Sequence, residues 1–119
     1  MCTRLLFIVF VVLAYTVGTT VRVKNKGGYL ARFFVDYQTN KSYWNTKESG
    51  IFPVSESREI KLPYAAEHAR SRIEIMMYPP DSFEEIVRYE FINNHTTGNF
   101  ICIDIWGIIW FPRWSFVNC

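Results

Sequence analysis

"YLARFFVDY", residues Tyr29 to Tyr37, alternates residue by residue. Tyr29, Ala31, Phe33, Val35 and Tyr37 fall on one side, and Leu30, Arg32, Phe34 and Asp36 on the other. Side chains of an extended chain point to opposite faces in turn, so a period of two reads as a strand with one face on a core. The same period recurs along the chain. "SREIKL" sets Ile60 and Leu62 against Arg58, Glu59 and Lys61, less cleanly, and "RIEIM" sets Ile73 and Ile75 against Arg72 and Glu74. "IVRYEF" places Val87, Tyr89 and Phe91 opposite Ile86, Arg88 and Glu90; "ICIDIW" places Ile101, Ile103 and Ile105 opposite Cys102, Asp104 and Trp106. Turn formers separate these runs: "NKGG", "TNKS", "ESG", "YPPDS" and "NNHTTGN". Only "PYAAEHARS", residues 63–71, has helix-forming content, and it is short. The pattern predicts an all-β fold, an antiparallel β-sandwich of about seven to eight strands in one domain.

Upstream of these strands, Arg4 precedes the apolar run "LLFIVFVVLA" (Leu5 to Ala14), followed by small and polar residues to Thr20. A basic start, a short apolar stretch and small residues after it describe a secretory signal peptide, whereas a spanning helix needs about 20 apolar residues. Thr16, Gly18 and Thr20 all suit the last signal position; with Gly18, residues 1–18 are the signal and 19–119 the domain. The alternative is an uncleaved anchor, since no charge occurs between Leu5 and Val21. Losing Arg4 lowers the formal charge from +2 to +1. That carries no electrostatic footprint for nucleic acid, and this class of partner is set aside.

Secretion also frames the asparagines and cysteines. The sequons "NKS" at Asn40 and "NHT" at Asn94 are possible glycosylation sites on an extracellular protein. Cys2 leaves with the signal, and Cys102 and Cys119 remain, an even number in an oxidising compartment. A bond between them contributes about 3 kcal/mol by chain entropy. The alternative is a free buried Cys102, with Cys119 pairing between chains.

Catalytic chemistry finds little material. His68 and His95 are the two histidines, and neither belongs to a metal-spaced cluster or a nucleophile motif. Asp81, Glu84 and Glu85 read as a solvated turn and strand entry. The expectation is a non-enzymatic protein with no metal and no cofactor. What the chain carries is an aromatic surplus: Trp106, Trp110, Phe111, Trp114 and Phe116 crowd its last residues, within "WGIIWFPRWSF". Ile108, Ile109, Trp110 and Phe111 stand side by side where a turn is normally polar. Neighbours in a strand face opposite ways, so these four cannot all enter one core. Either the run folds back as a cap on the core, or it is an exposed membrane-touching loop, or it meets a protein or glycan partner.

The segments "GGYLARFFVDY", "LPYAAEHARSRIEI", "IVRYEF" and "CIDIWGIIWFP", in this order and spacing, resemble the C-terminal domain of the thiol-activated, cholesterol-dependent cytolysins from about Val21 to Ser115. The resemblance implies a four-on-four β-sandwich whose lower loops touch a sterol-containing membrane and, in some members, a glycan receptor. It assigns Trp106, Ile108, Ile109, Trp110, Phe111 and Trp114 to the membrane- or ligand-binding end. The family's cholesterol-recognising threonine–leucine pair falls at Ile109 and Trp110, which lack the hydroxyl but keep the apolar character. The family's tryptophan-rich loop falls at "MMYPPDSFEE", residues 76–85, which is shorter, acidic and free of Trp and Cys. The expectation is a secreted membrane-recognition module with lipid or sterol as partner and no pore-forming domains of its own.

Overall fold

The computed structural model describes residues 17–39, 43–77, 82–92 and 99–119. They form eight strands: β1 (Val17–Asn25), β2 (Ala31–Thr39), β3 (Tyr43–Glu48), β4 (Ser57–Pro63), β5 (Ala66–Met77), β6 (Ser82–Ile92), β7 (Phe100–Ile108) and β8 (Phe111–Val117). Two four-stranded sheets result, ordered β4-β1-β7-β8 and β3-β2-β5-β6. Their inner faces meet in one core, to which Val21, Val23, Ile103 and Ile105 come from the first sheet and Phe33, Val35, Ile73 and Ile75 from the second. This is the all-β sandwich that the period-two runs predict, with the alternating residues of each run divided between core and surface.

Among the described residues every strand pairing is antiparallel but one. β1 lies parallel to β7, with Val21 beside Ile101 and Val23 beside Ile103. A tight turn forces its two strands antiparallel, but β1 and β7 are remote in sequence and no turn sets their direction. The consequence for function is positional. Both strands end at the same end of the sandwich, so the β1–β2 connection sits beside the β7–β8 hairpin.

Two local readings need correction. Residues 63–71, the segment with helix-forming content, close β4, turn at 64–65 and open β5. Ala66 and Ala69 are buried there, and burial against the facing sheet outweighs a weak local preference. The register shift beside them sets Glu67 and His68 against the single residue Gln38, a β-bulge. A second bulge makes Ile86 the extra residue between the pairs Ile73–Val87 and Glu74–Glu85. Ile86 therefore packs against the core beside Val87 rather than on the opposite face.

Cys102 and Cys119 form the expected disulfide, with Cα atoms 5.6 Å apart. Cys102 is on the outer side of β7, yet it is buried, and the crosslink holds the end of the chain against that side. Asn40, Asn94, Cys2 and His95 lie outside the described residues.

The outer face of the second sheet is organised around Asp36, which is buried. Arg72 donates from Nε at 2.9 Å and from Nη2 at 3.2 Å, Arg70 donates from Nε at 3.2 Å, and the Thr46 hydroxyl donates at 2.7 Å. Burial pushes the carboxyl up, and the bonds from Arg72, Thr46 and Arg70 together outweigh it, leaving the group below its ordinary value. The guanidinium groups also lie over aromatic rings: Arg72 Cζ stands 4.8 Å from the Phe34 ring centre and Arg70 Cζ stands 5.7 Å from that of Trp44. A carboxyl held low in the folded state contributes stability that is complete above its unfolded pKa and lost as pH falls through the folded one. Asp36→Asn is therefore expected to cost about 2–4 kcal/mol at pH 7 in urea denaturation, with two arginines left short of an acceptor. The gap from the parent protein should shrink as pH falls below the ordinary aspartate range, once the carboxyl is itself protonated.

Candidate functional site

The β7–β8 hairpin turns in two residues, Ile109 and Trp110, between the closing pair Ile108 and Phe111. Two-residue turns favour residues that accept a positive φ, such as Asn-Gly. Here neither turn residue has one, and Gly107, at φ 90, takes the left-handed conformation instead. A Cβ on Gly107 would run into the Phe111 carbonyl oxygen. One glycine thus allows an apolar pair to occupy the turn itself.

The hairpin is tied to the neighbouring connection. The Gly28 N–H donates to the Gly107 carbonyl at 3.0 Å, and the Tyr29 hydroxyl donates to the Trp106 carbonyl at 2.6 Å. Tyr29 is buried, and burial pushes its pKa up to about 12, so the hydroxyl keeps its proton and its donor role at neutral pH. Its ring lies over Gly27, where a Cβ would collide with it. Asn25 holds the third side. Its Nδ2 donates to the carbonyls of Tyr29 (2.7 Å) and Phe52 (3.4 Å), and its Oδ1 accepts from the Gly27 N–H (2.9 Å). Its backbone bonds Glu56 and Ser55 in the β3–β4 connection.

The residues singled out from sequence separate into three groups. Ile108, Trp110 and Phe111 are exposed at 53%, 70% and 72%. Ile109 turns inward, partly buried against the core, in a small cavity with Met77, Glu84, Ile86 and Pro112. Trp106 and Trp114 lie further up the strands. Trp106 pairs with Arg113 across the hairpin, and Trp114 pairs with Ile105 and stacks edge-on against Phe116, ring centres 5.4 Å apart. Tyr89 meets the same Phe116 at 5.2 Å, so Trp114 belongs to an aromatic seam along the open edge between β6 and β8.

The structure adds residues that no sequence run signalled. Leu30, in the β1–β2 connection, and Ile51 and Val54, in the β3–β4 connection, are exposed. Both connections reach the hairpin's end of the sandwich, through Met76 N–H to Leu30, Phe52 N–H to Ala31 and Ser55 N–H to Asn25. Their one sequence signal was an apolar residue inside a turn-forming stretch, "GGYL" and "ESGIFPVS". β5 ends at Met77 and β6 begins at Ser82 at this end, so six of the ten residues in "MMYPPDSFEE" are strand. Exposed Tyr43, Trp44 and Ile92 mark the opposite end, where the connections carrying Asn40 and Asn94 leave β2 and β6. Among the described residues no group of three His, Cys, Asp or Glu could hold a metal ion.

No protein-family model and no curated protein sequence matches the chain. Solved structures do. The membrane-binding domain of pneumolysin matches over 86% of this chain and 97% of its own, with a TM-score of 0.59 at 12% identity. Suilysin from Streptococcus suis (TM-score 0.59, 15% identity) and listeriolysin O (0.58, 14%) each match over 87% of this chain. The chain spans 23% of the length of either toxin. At these identities the likeness establishes the fold, and the resemblance drawn from the sequence is borne out at that level.

Because Gly107 combines a positive φ with a close backbone contact, Gly107→Ala is expected to lower stability by about 1–3 kcal/mol. Chemical denaturation followed by tryptophan fluorescence measures it; an unchanged midpoint would show that the hairpin reshapes freely.

Proposed function

We propose that this protein is a secreted, non-enzymatic membrane-recognition module that lays the β7–β8 end of its sandwich on a lipid surface. The observation that carries the reading is convergence: Leu30, Ile51, Val54, Ile108, Trp110 and Phe111, from three separate connections, are all exposed at one end. Clustered apolar exposure of this kind is what a membrane or a partner would cover. The fold shared with the membrane-binding domain of pneumolysin supports the first of these. Burying a side chain such as Trp or Phe yields about 1.5–3 kcal/mol, so Trp110, Phe111 and Ile108 together support reversible, roughly micromolar attachment. Sterol enters as a preference of the target membrane, with Trp110 at the position where the family's recognition pair stands.

The opposite end also exposes aromatics, and there β2 ends at Thr39 and β6 at Ile92, one and two residues before the sequon asparagines. Glycans on Asn40 and Asn94 would keep that end in water and leave the other to face the lipid. A signal cut after Gly18 is compatible with the strand ladder, since the pairing of β1 with β4 resumes at Thr20–Lys61.

The test is co-sedimentation with protein-free vesicles, with and without cholesterol. Trp110→Asp combined with Phe111→Asp should abolish binding and leave the circular dichroism spectrum unchanged, whereas Trp44→Asp should bind like the parent. Wild-type binding by the double variant would remove the hairpin from the contact. N-terminal sequencing of the exported protein is expected to begin at Thr19; an intact Met1 would sink the secretion reading.

A further inference from the structure

A groove of about 540 Å³ runs along the outer face of the first sheet, a volume within the roughly 300–1,000 Å³ of small-ligand sites. Its floor is β1, which presents Arg22, Lys24 and Lys26 at alternate positions, about 6.8 Å apart by strand geometry. One wall is Ser55 and Ser57; the other is the chain end from Val117 to Cys119, held in place by the disulfide to Cys102.

The charges in this groove are unequally answered. Arg22 pairs with Glu59 at 2.5 Å and Lys26 pairs with Asp104 at 2.6 Å. Lys24 sits between them, exposed, with Ser57 and Asp104 as its direct cross-strand neighbours. It makes no ion pair among the described residues, because Asp104 is engaged by Lys26. The centre of the groove is thus one free ammonium flanked by two more cations and two serine hydroxyls. Ser55 is also the one described non-glycine residue with a positive φ, 76°, held there by its N–H bond to the Asn25 carbonyl at 2.7 Å.

We propose that this groove binds a tetrahedral oxyanion, a phosphate or sulfate ester, with Lys24 as the counter-charge and Ser55 and Ser57 as neutral donors. An ammonium supplies three donors and a point charge, and hydroxyls add direction without competing charge. Arg22 and Lys26 raise the local potential. Among the lining side chains Glu59 and Asp104 offset two of the three cations and leave Lys24 over, so the site suits a single ester group rather than an extended polyanion. The ligand is a lipid headgroup phosphate, or a phosphate or sulfate group on a soluble or glycan-borne molecule.

Titration of the folded exported protein, from Thr19 onward, with inorganic phosphate and with sulfate, followed by NMR of the lysine side chains, tests the site without involving the apolar turn. Its failure therefore leaves the membrane reading intact. Saturable shifts centred on Lys24 are expected. Lys24→Gln should weaken binding about tenfold, as loss of a hydrogen-bonded charge implies, and Lys61→Gln on the neighbouring strand should not. Equal titration of parent and Lys24→Gln, or shifts spread evenly over all surface lysines, would overturn the proposal. A second arm separates the sources, using phosphatidylcholine vesicles with and without phosphatidic acid. Enhancement by phosphatidic acid that is lost in Lys24→Gln assigns the lipid headgroup. Lys24-dependent binding of the free anions with no response to phosphatidic acid assigns a soluble or glycan-borne ester.

Discussion

One carboxamide organises the end of the molecule that matters most. Asn25 is fully buried, and both ends of its side chain are used, Nδ2 on two carbonyls and Oδ1 on one N–H. A buried amide without partners costs several times what a satisfied one contributes, so this geometry is strongly preferred over any in which the loops part. Its three partners lie in two connections, and the β1–β2 connection is in turn bonded to the β7–β8 hairpin through Gly28 and Tyr29. Without the parallel placement of β1 beside β7, Asn25 and Gly107 would not occupy the same end.

That fixed frame explains how an apolar turn can be tolerated. The backbone polar groups around it are bonded to neighbouring loops, and Gly107 supplies the one backbone conformation that a bulky turn residue would resist. Ile109 is anchored inward, while Ile108, Trp110 and Phe111 remain outside. A rigid support under exposed aromatics lowers the ordering cost of surface attachment, the advantage of preorganisation. The two outer faces contrast with it. On the second sheet the Asp36 carboxylate collects Arg70 and Arg72 into a closed network, and on the first the ion pairs leave Lys24 over.

Much of the architecture was written in local order. The alternation of Phe33 and Val35 with Phe34 and Asp36, and of Ile73 and Ile75 with Arg72 and Glu74, placed core and surface correctly, because strand side chains obey a period of two wherever one face is buried. The disulfide joins Cys102 and Cys119, one of the two pairings that the cysteine count allowed. The places where local reading failed each involve a partner elsewhere in the chain. Ala66 and Ala69 are strand because a facing sheet needs small residues there. Ile86 reaches the core because a bulge shifts its register. Phe52, inside a glycine-marked turn, is fully buried because it bridges Ala31 and packs edge-on against Phe33.

The candidate site divides along the same line. Four large apolar residues at a turn were visible in the sequence, since a short window suffices to see that they cannot share one core. Which of them face outward was not visible, because Ile109 and its neighbours differ only in what lies across the sheet-to-sheet gap. Nor could a linear pattern bring Leu30, Ile51 and Val54 to the hairpin, or leave Lys24 unpaired between Arg22 and Lys26. Sequence determined the strands, their inner faces and the chemistry available at the turn, all properties of neighbouring residues. The tertiary structure alone decided direction, convergence and charge pairing, because each is a relation between strands that the chain visits far apart.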